Sequence, residues 1–143
     1  MADEDPVFGN VIYSYTRKQA IEDGVLVDIT EMAKEAGIKY PVAITSTAFF
    51  GYVAPDPMPP GQDLKGRLWD LFTMFKLAAK RTDGPEILFK VQFVLNGIRV
   101  GPEERPVRNI DDSWKLVEVT LQAVCGPGDD PAPVITLMLT DED

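Results

Sequence analysis

The apolar positions of this chain change period part-way along it. From Asp63 to Arg81 they recur as on a helix: Leu64, Leu68, Leu71, Phe72, Phe75 and Ala79 fall on one face. Lys65, Arg67, Asp70, Lys76 and Lys80 are read as lying mostly opposite. From Glu86 to Leu95 the period becomes two, with Ile87, Phe89, Val91 and Phe93 on one side of a strand. Asn96-Gly97 then signals a tight turn. Residues 98–112 read as an irregular, proline-interrupted arm. Trp114 to Cys125 is a long strand, its drier side Val117, Val119, Leu121 and Ala123 and its wetter side Leu116, Glu118, Thr120 and Gln122. Gly126 to Pro133 is a turn, and Val134 to Leu139 a buried final strand.

The first sixty residues are broken into shorter pieces. Val7 to Tyr15 suits a short strand. Thr16 or Ser14 caps a helix over Arg17 to Glu22 that Gly24 ends. Val25 to Ile29 is a strand or extended link. Thr30 caps a second helix, which stops at Gly37, and Tyr40-Pro41 forces an extended exit. In Ala43 to Val53 a short helix capped by Thr45 or Ser46 and bearing Phe49 and Phe50 is preferred to a strand. Ala54 to Gly61 holds four prolines in eight residues and is a loop. The sum is an α+β fold in one domain, 1–143, with acidic tails at 1–6 and 140–143. Helices come first, and the long one packs on a C-terminal antiparallel sheet.

Composition narrows the chemistry. The chain has 143 residues, a net charge of −9, one cysteine and no histidine. Without histidine, the usual general base near neutral pH and the commonest metal ligand are both missing. One cysteine excludes an internal disulfide and a multi-cysteine zinc site. The acidic balance disfavours direct nucleic-acid binding. Asp3, Glu4, Asp5, Asp141, Glu142 and Asp143 supply six of the negative charges, so the body is closer to neutral. No run of apolar residues is long enough to span a membrane, and the N-terminus lacks a signal-peptide pattern. A cytoplasmic setting is the expectation.

Several segments together carry a resemblance: Tyr13-Ser-Tyr-Thr-Arg17 leading into Ala20 through Asp28, Ala36-Gly-Ile-Lys-Tyr-Pro-Val-Ala43, Gly66-Arg-Leu-Trp-Asp70, and Val119 through Asp130 ahead of Pro133-Val-Ile-Thr136. On these the chain resembles an uncharacterised family of small proteins carried on phages, plasmids and other mobile elements. The likeness covers most of the length apart from the tails, the proline loop and the arm. It implies no active site to carry over. It does imply a mobile-element setting, in which small acidic proteins counter host defence. A looser analogy is to phage Thoeris anti-defence proteins, which sequester cyclic nucleotide signals.

Four places are candidates for binding. At Tyr15-Thr16-Arg17, a helix N-terminus beside an arginine suits an anion, although an ordinary cap explains the same residues. Arg67 and Trp69, on the rim of the long helix, can meet a phosphate and a base; partial burial is the plainer reading of Trp69. Cys125-Gly-Pro-Gly-Asp-Asp130 lacks the lysine and the following helix of a phosphate loop and reads as a hairpin turn; two adjacent acids make a poor Mg²⁺ site. The arm, with Asn96 at its start and Arg99, Arg105 and Arg108 along it, lies beside a strand bearing Phe89 and Phe93. Arginines against an aromatic wall suit an anionic nucleotide; the alternative is a solvated loop paired to nearby acids.

The leading expectation is a non-catalytic protein that takes a small phosphorylated or cyclic nucleotide ligand, with no cofactor and no metal, as a homo-oligomer. The alternative is an acidic inhibitor that binds a host protein. An Mg²⁺-dependent carboxylate enzyme ranks third, because no segment places three acids on one face.

Overall fold

A computed structural model describes residues 16–96 and 102–142. The helix α1 (Arg17–Glu22) is followed by β1 (Leu26–Asp28), α2 (Thr30–Glu35) and β2 (Val42–Thr45). A three-residue helix, α3 (Ser46–Ala48), runs into a π-helical turn, Phe49–Val53. The proline loop leads to α4 (Leu64–Ala79). The strands β3 (Glu86–Asn96), β4 (Glu104–Asn109), β5 (Trp114–Pro127) and β6 (Pro133–Leu139) complete the chain.

The local signals explain most of these bounds. Thr16 accepts from the backbone N–H of Gln19 while the Gln19 side chain accepts from that of Thr16, a reciprocal cap that starts α1. Gly24 at φ +80° ends the turn after it, and Gly37 at φ +89° ends α2. Thr30 does not cap α2 as expected. Ile29 holds the cap position, and Thr30 N–H and hydroxyl both donate to Asp28, at 3.0 and 2.5 Å. Thr45 caps α3, accepting from Ala48 N–H at 3.3 Å. The expected short helix there is correct from Ser46 onward, but Val42–Thr45 is a strand.

The fold class is α+β, but the sheet is not a purely antiparallel C-terminal one. Its order is β1-β2-β6-β5-β3, with β4 pairing β5 beside β6. Two strands from the first fifty residues join it, and β2 runs parallel to β6 in the register Val42↔Ile135 and Ile44↔Leu137. The misreading has a physical source: β1 and β2 are three and four residues long, too short to show a period of two. The described part of the arm, 102–112, likewise contains a strand. Residues 104–109 pair with β5 from Glu104↔Val119 to Asn109↔Lys115.

One buried apolar cluster holds the layers together. Leu68, Leu71, Phe72 and Phe75 of α4 meet Ile87, Phe89, Val91 and Phe93 of β3, Val117, Val119, Leu121 and Ala123 of β5, and Ile135, Leu137 and Leu139 of β6. Alternation thus placed both long strands correctly. Call this covered side of the sheet its inner face. On the outer face, α1 lies at the β2–β6 end, where Arg17 reaches Thr136, the register partner of Ala43. At the β3–β5–β4 end, Leu88, Lys90, Gln92, Arg105 and Arg108 remain exposed, and Val94, Leu116, Glu118, Thr120 and Gln122 are half-buried. The sheet therefore has a covered half and an open half.

Candidate functional site

The N-terminus of α1 already holds an anion, supplied by the chain. Asp129 accepts from the N–H groups of Arg17 at 2.7 Å and Lys18 at 3.1 Å. The Arg17 guanidinium donates to Thr136 Oγ1 and to the Ile135 carbonyl, each at 2.7 Å. Burial lowers the Arg17 pKa, opposed by the charges of Asp28 and Asp129. The expected ligand site at Arg17 is thus closed by internal bonds. Asp129 and its neighbour act as turn residues, since Asp130 accepts from Ala132 N–H at 2.9 Å. Tyr15 lies outside the described residues.

Arg67 overturns its expected place more sharply. It is 3% exposed, not on a polar rim. Its Nε donates to the Val53 carbonyl at 3.0 Å and Nη2 to the Tyr52 carbonyl at 2.5 Å; Nη1 reaches Gln62 Oε1 at 2.6 Å and the Val94 carbonyl at 3.1 Å. Its guanidinium also sits over the Phe93 ring, 4.9 Å from the centroid. Desolvation lowers its pKa to about 10, partly offset by Asp70, so it stays charged at neutral pH. The π-helical turn explains the need for it. Carbonyls at a helix end have no partner within the helix, and Arg67 satisfies those of Tyr52 and Val53 while tying α4 to β3.

The other aromatic candidates also separate. Phe89 and Phe93 are 4% and 2% exposed and face α4 rather than the arginines of β4, so they form no aromatic wall for a ligand. Trp69 is 45% exposed, away from Arg67, in a shallow depression with Glu35, Asp63, Lys65 and Gly66. Two positions along a helix turn a side chain about 200° around it, so Arg67 and Trp69 cannot share a ligand. Asn96 ends β3 opposite Trp114. Arg99 lies outside the described residues.

Arg105 and Arg108 do come together. Three positions apart on a regular strand, they would point to opposite faces. The pairing of β4 with β5 slips between Pro106 and Arg108, so Arg105 lies opposite Glu118 and Arg108 opposite Leu116. Glu118 and Leu116 share the outer face, and the bulge at Val107 therefore brings both arginines onto it. Arg105 Nε donates to Glu118 Oε1 at 3.0 Å, and Lys90 Nζ stands 3.9 Å from the same oxygen. The bond to Arg105 holds the Glu118 carboxyl below its ordinary pKa, and the same bond raises that of Arg105. Leu116 and Val94, register partners, add a half-buried apolar floor next to Arg108.

Nothing in the sequence pattern pointed to Tyr52. Its hydroxyl bonds Glu103, and it lies 2.5 Å from Glu104 Oε2. Burial first, and then these two carboxylates, push its pKa well above the usual phenol range. This contact ties the start of β4 to the π-helical turn and so fixes the strand that displays the arginines. Cys125 is half-buried, and burial raises its thiol pKa, which keeps it protonated at neutral pH. Among the described residues, no group of three or more Cys, Asp or Glu is placed to hold a metal ion, and no helix is long and apolar enough to cross a membrane.

No family model matches the chain, and neither a curated protein nor a solved structure does.

Proposed function

We propose that this chain is a non-catalytic binding protein that captures a small phosphorylated ligand, of the cyclic or other nucleotide class, on the open outer face of β4, β5 and β3. One observation carries the reading: a β-bulge brings Arg105 and Arg108 onto one exposed face, in a protein whose net charge is −9. Bulges re-aim side chains beside functional sites, and guanidinium groups match phosphate oxygens in geometry as well as charge. Arg105 meets the phosphate in competition with Glu118, Arg108 supplies charge at the outer end, and Leu116 with Val94 offers an apolar surface for a base or ribose. In the mobile-element setting that the sequence resemblance implies, such capture removes a host signal from circulation.

Calorimetric titration of the full chain with cyclic mononucleotides, cyclic dinucleotides and ADP-ribose-type compounds at low salt tests this reading. Saturable binding of at least one class is expected. It should be weakened about tenfold or more in Arg108→Ala, weakened likewise in Arg105→Ala, and kept in Trp69→Ala, whose side chain lies elsewhere. Silence across the whole panel, or binding indifferent to both arginines, overturns it.

A further inference from the structure

The outermost strand of the open half, β3, is paired on one side only among the described residues. It pairs with β5 along its whole length, Glu86↔Val124 to Asn96↔Trp114, and stands last in the strand order. The direction of its backbone groups can be read from two bonds. Cys125 N–H donates to the Pro85 carbonyl at 2.7 Å, so odd-numbered positions of β3 aim at β5 and even-numbered ones aim away. The Val94 carbonyl confirms the phase, since it accepts from Arg67 on α4 rather than from β5. That bond closes the upper end of the edge. The backbone groups of Glu86, Leu88, Lys90 and Gln92 face outward, and no strand among the described residues meets them.

Large apolar side chains flank this stretch on both faces. Leu88 is 63% exposed on the outer face; on α4, Met74 and Leu77 are 39% and 42% exposed. The helix runs antiparallel to β3, because Arg67 sits over Phe93 while the Phe75 ring meets Phe89 at 5.7 Å. Leu77, two residues on, is therefore level with Ile87 and Leu88. A groove of about 490 Å³ runs along the edge, lined among others by Asp70, Thr73, Met74, Lys90 and Gln92. A long, partly apolar edge of this kind is a template for another strand.

We infer that the occupant is a second copy of this chain, its β3 antiparallel to the first about a twofold axis through Leu88. Only even-numbered positions carry outward groups, so the twofold must pair even with even. Centred on Leu88, it sets Leu88 against Leu88 of the second copy and Glu86 opposite Lys90 of that copy, twice over. Centred on Lys90, it opposes like charges directly, which is destabilising. Centred on Phe89, it pairs Leu88 with Lys90 and Glu86 with Gln92, forming no ion pair. The Leu88 register alone matches charge and apolar surface together. It also brings the two α4 helices side by side, with Met74 and Leu77 nearest the axis. The result is one continuous sheet with both Arg105–Arg108 pairs on the same face, although the inference does not depend on ligand capture.

Sedimentation velocity of the full chain from micromolar to millimolar concentration tests it, with circular dichroism confirming that each variant is folded. The expected result is a shift from 15.8 kDa to twice that mass. Glu86→Lys and Lys90→Glu should each hold the chain monomeric by opposing like charges, and the double exchange should restore the dimer. Leu88→Glu should abolish it. A chain that stays monomeric throughout overturns the inference, as does a dimer that neither single exchange weakens. In either case the nucleotide titration above stands or fails separately.

Discussion

The two halves of the sheet treat their arginines in opposite ways. In the covered half, around β1, β2 and β6, Arg17 is spent on Thr136 and Ile135, and Asp129 fills the end of α1. In the open half, Arg105 and Arg108 stand on the exposed face of a bulged strand, Arg105 opposite Glu118 and Arg108 opposite Leu116. The edges differ in the same way. β1 is three residues long, whereas β3 is eleven and meets no further strand along its outer edge among the described residues. Short edge strands are a common way to discourage further pairing. A cation is therefore informative here only together with its neighbours: Arg17 in the covered half is bonded into the fold, whereas Arg105 and Arg108 in the open half stand exposed on one face.

The largest expected effect lies at the buried Arg67, which ties α4 and the π-helical turn to β3. Arg67→Ala leaves the carbonyls of Tyr52, Val53 and Val94 without this donor, at a cost of roughly 3–5 kcal/mol. Thermal denaturation should show a melting point lower by about 10 °C or more. A drop of only a degree or two would mean that the clamp is dispensable.

Asp129→Ala comes next and probes the covered half. Losing the carboxylate at the start of α1 should cost about 1–2 kcal/mol in chemical denaturation, with nucleotide binding unchanged. If binding falls with stability, the two halves are not separable. Arg108→Ala probes the open half in the reverse sense. Ligand affinity should fall about tenfold or more, equivalent to ~1.4 kcal/mol, while the melting point stays that of the parent chain.

The smallest effect belongs to Glu118→Gln. With Arg105 released from its partner, anion affinity should rise a few-fold at neutral pH. The sign with pH follows from the lowered Glu118 pKa. The pair contributes above the carboxyl's unfolded pKa, and the contribution disappears as pH falls through the lower folded value. Acid titration of stability should therefore lose a component in that window in the parent chain but not in the variant. Identical profiles would show that the pair is not formed in solution.

How much of this was legible depended on whether one residue's pattern sufficed. The alternation of Ile87, Phe89, Val91 and Phe93 needed only the period of a strand, and the inner face followed from it. Arg67 was unreadable because a charge on a helical wheel is assigned to water; its burial depends on carbonyls left open by a π-helical turn fifteen residues earlier. Arg105 and Arg108 were singled out, but the face they share depends on the Val107 bulge, which only the pairing with β5 reveals. Asp129 read correctly as a turn residue, while its role as the anion of a helix 112 residues away in sequence had no local signal.

The most direct test of the open half as the working surface is an ¹⁵N-resolved NMR titration of the chain with pyrophosphate and with a cyclic dinucleotide. Shifts concentrated at Lys90, Arg105, Arg108 and Glu118, with Arg17, Lys18 and Asp129 unmoved, are the predicted result. Shifts centred on α1 and Asp129, or none at saturating ligand, would contradict it.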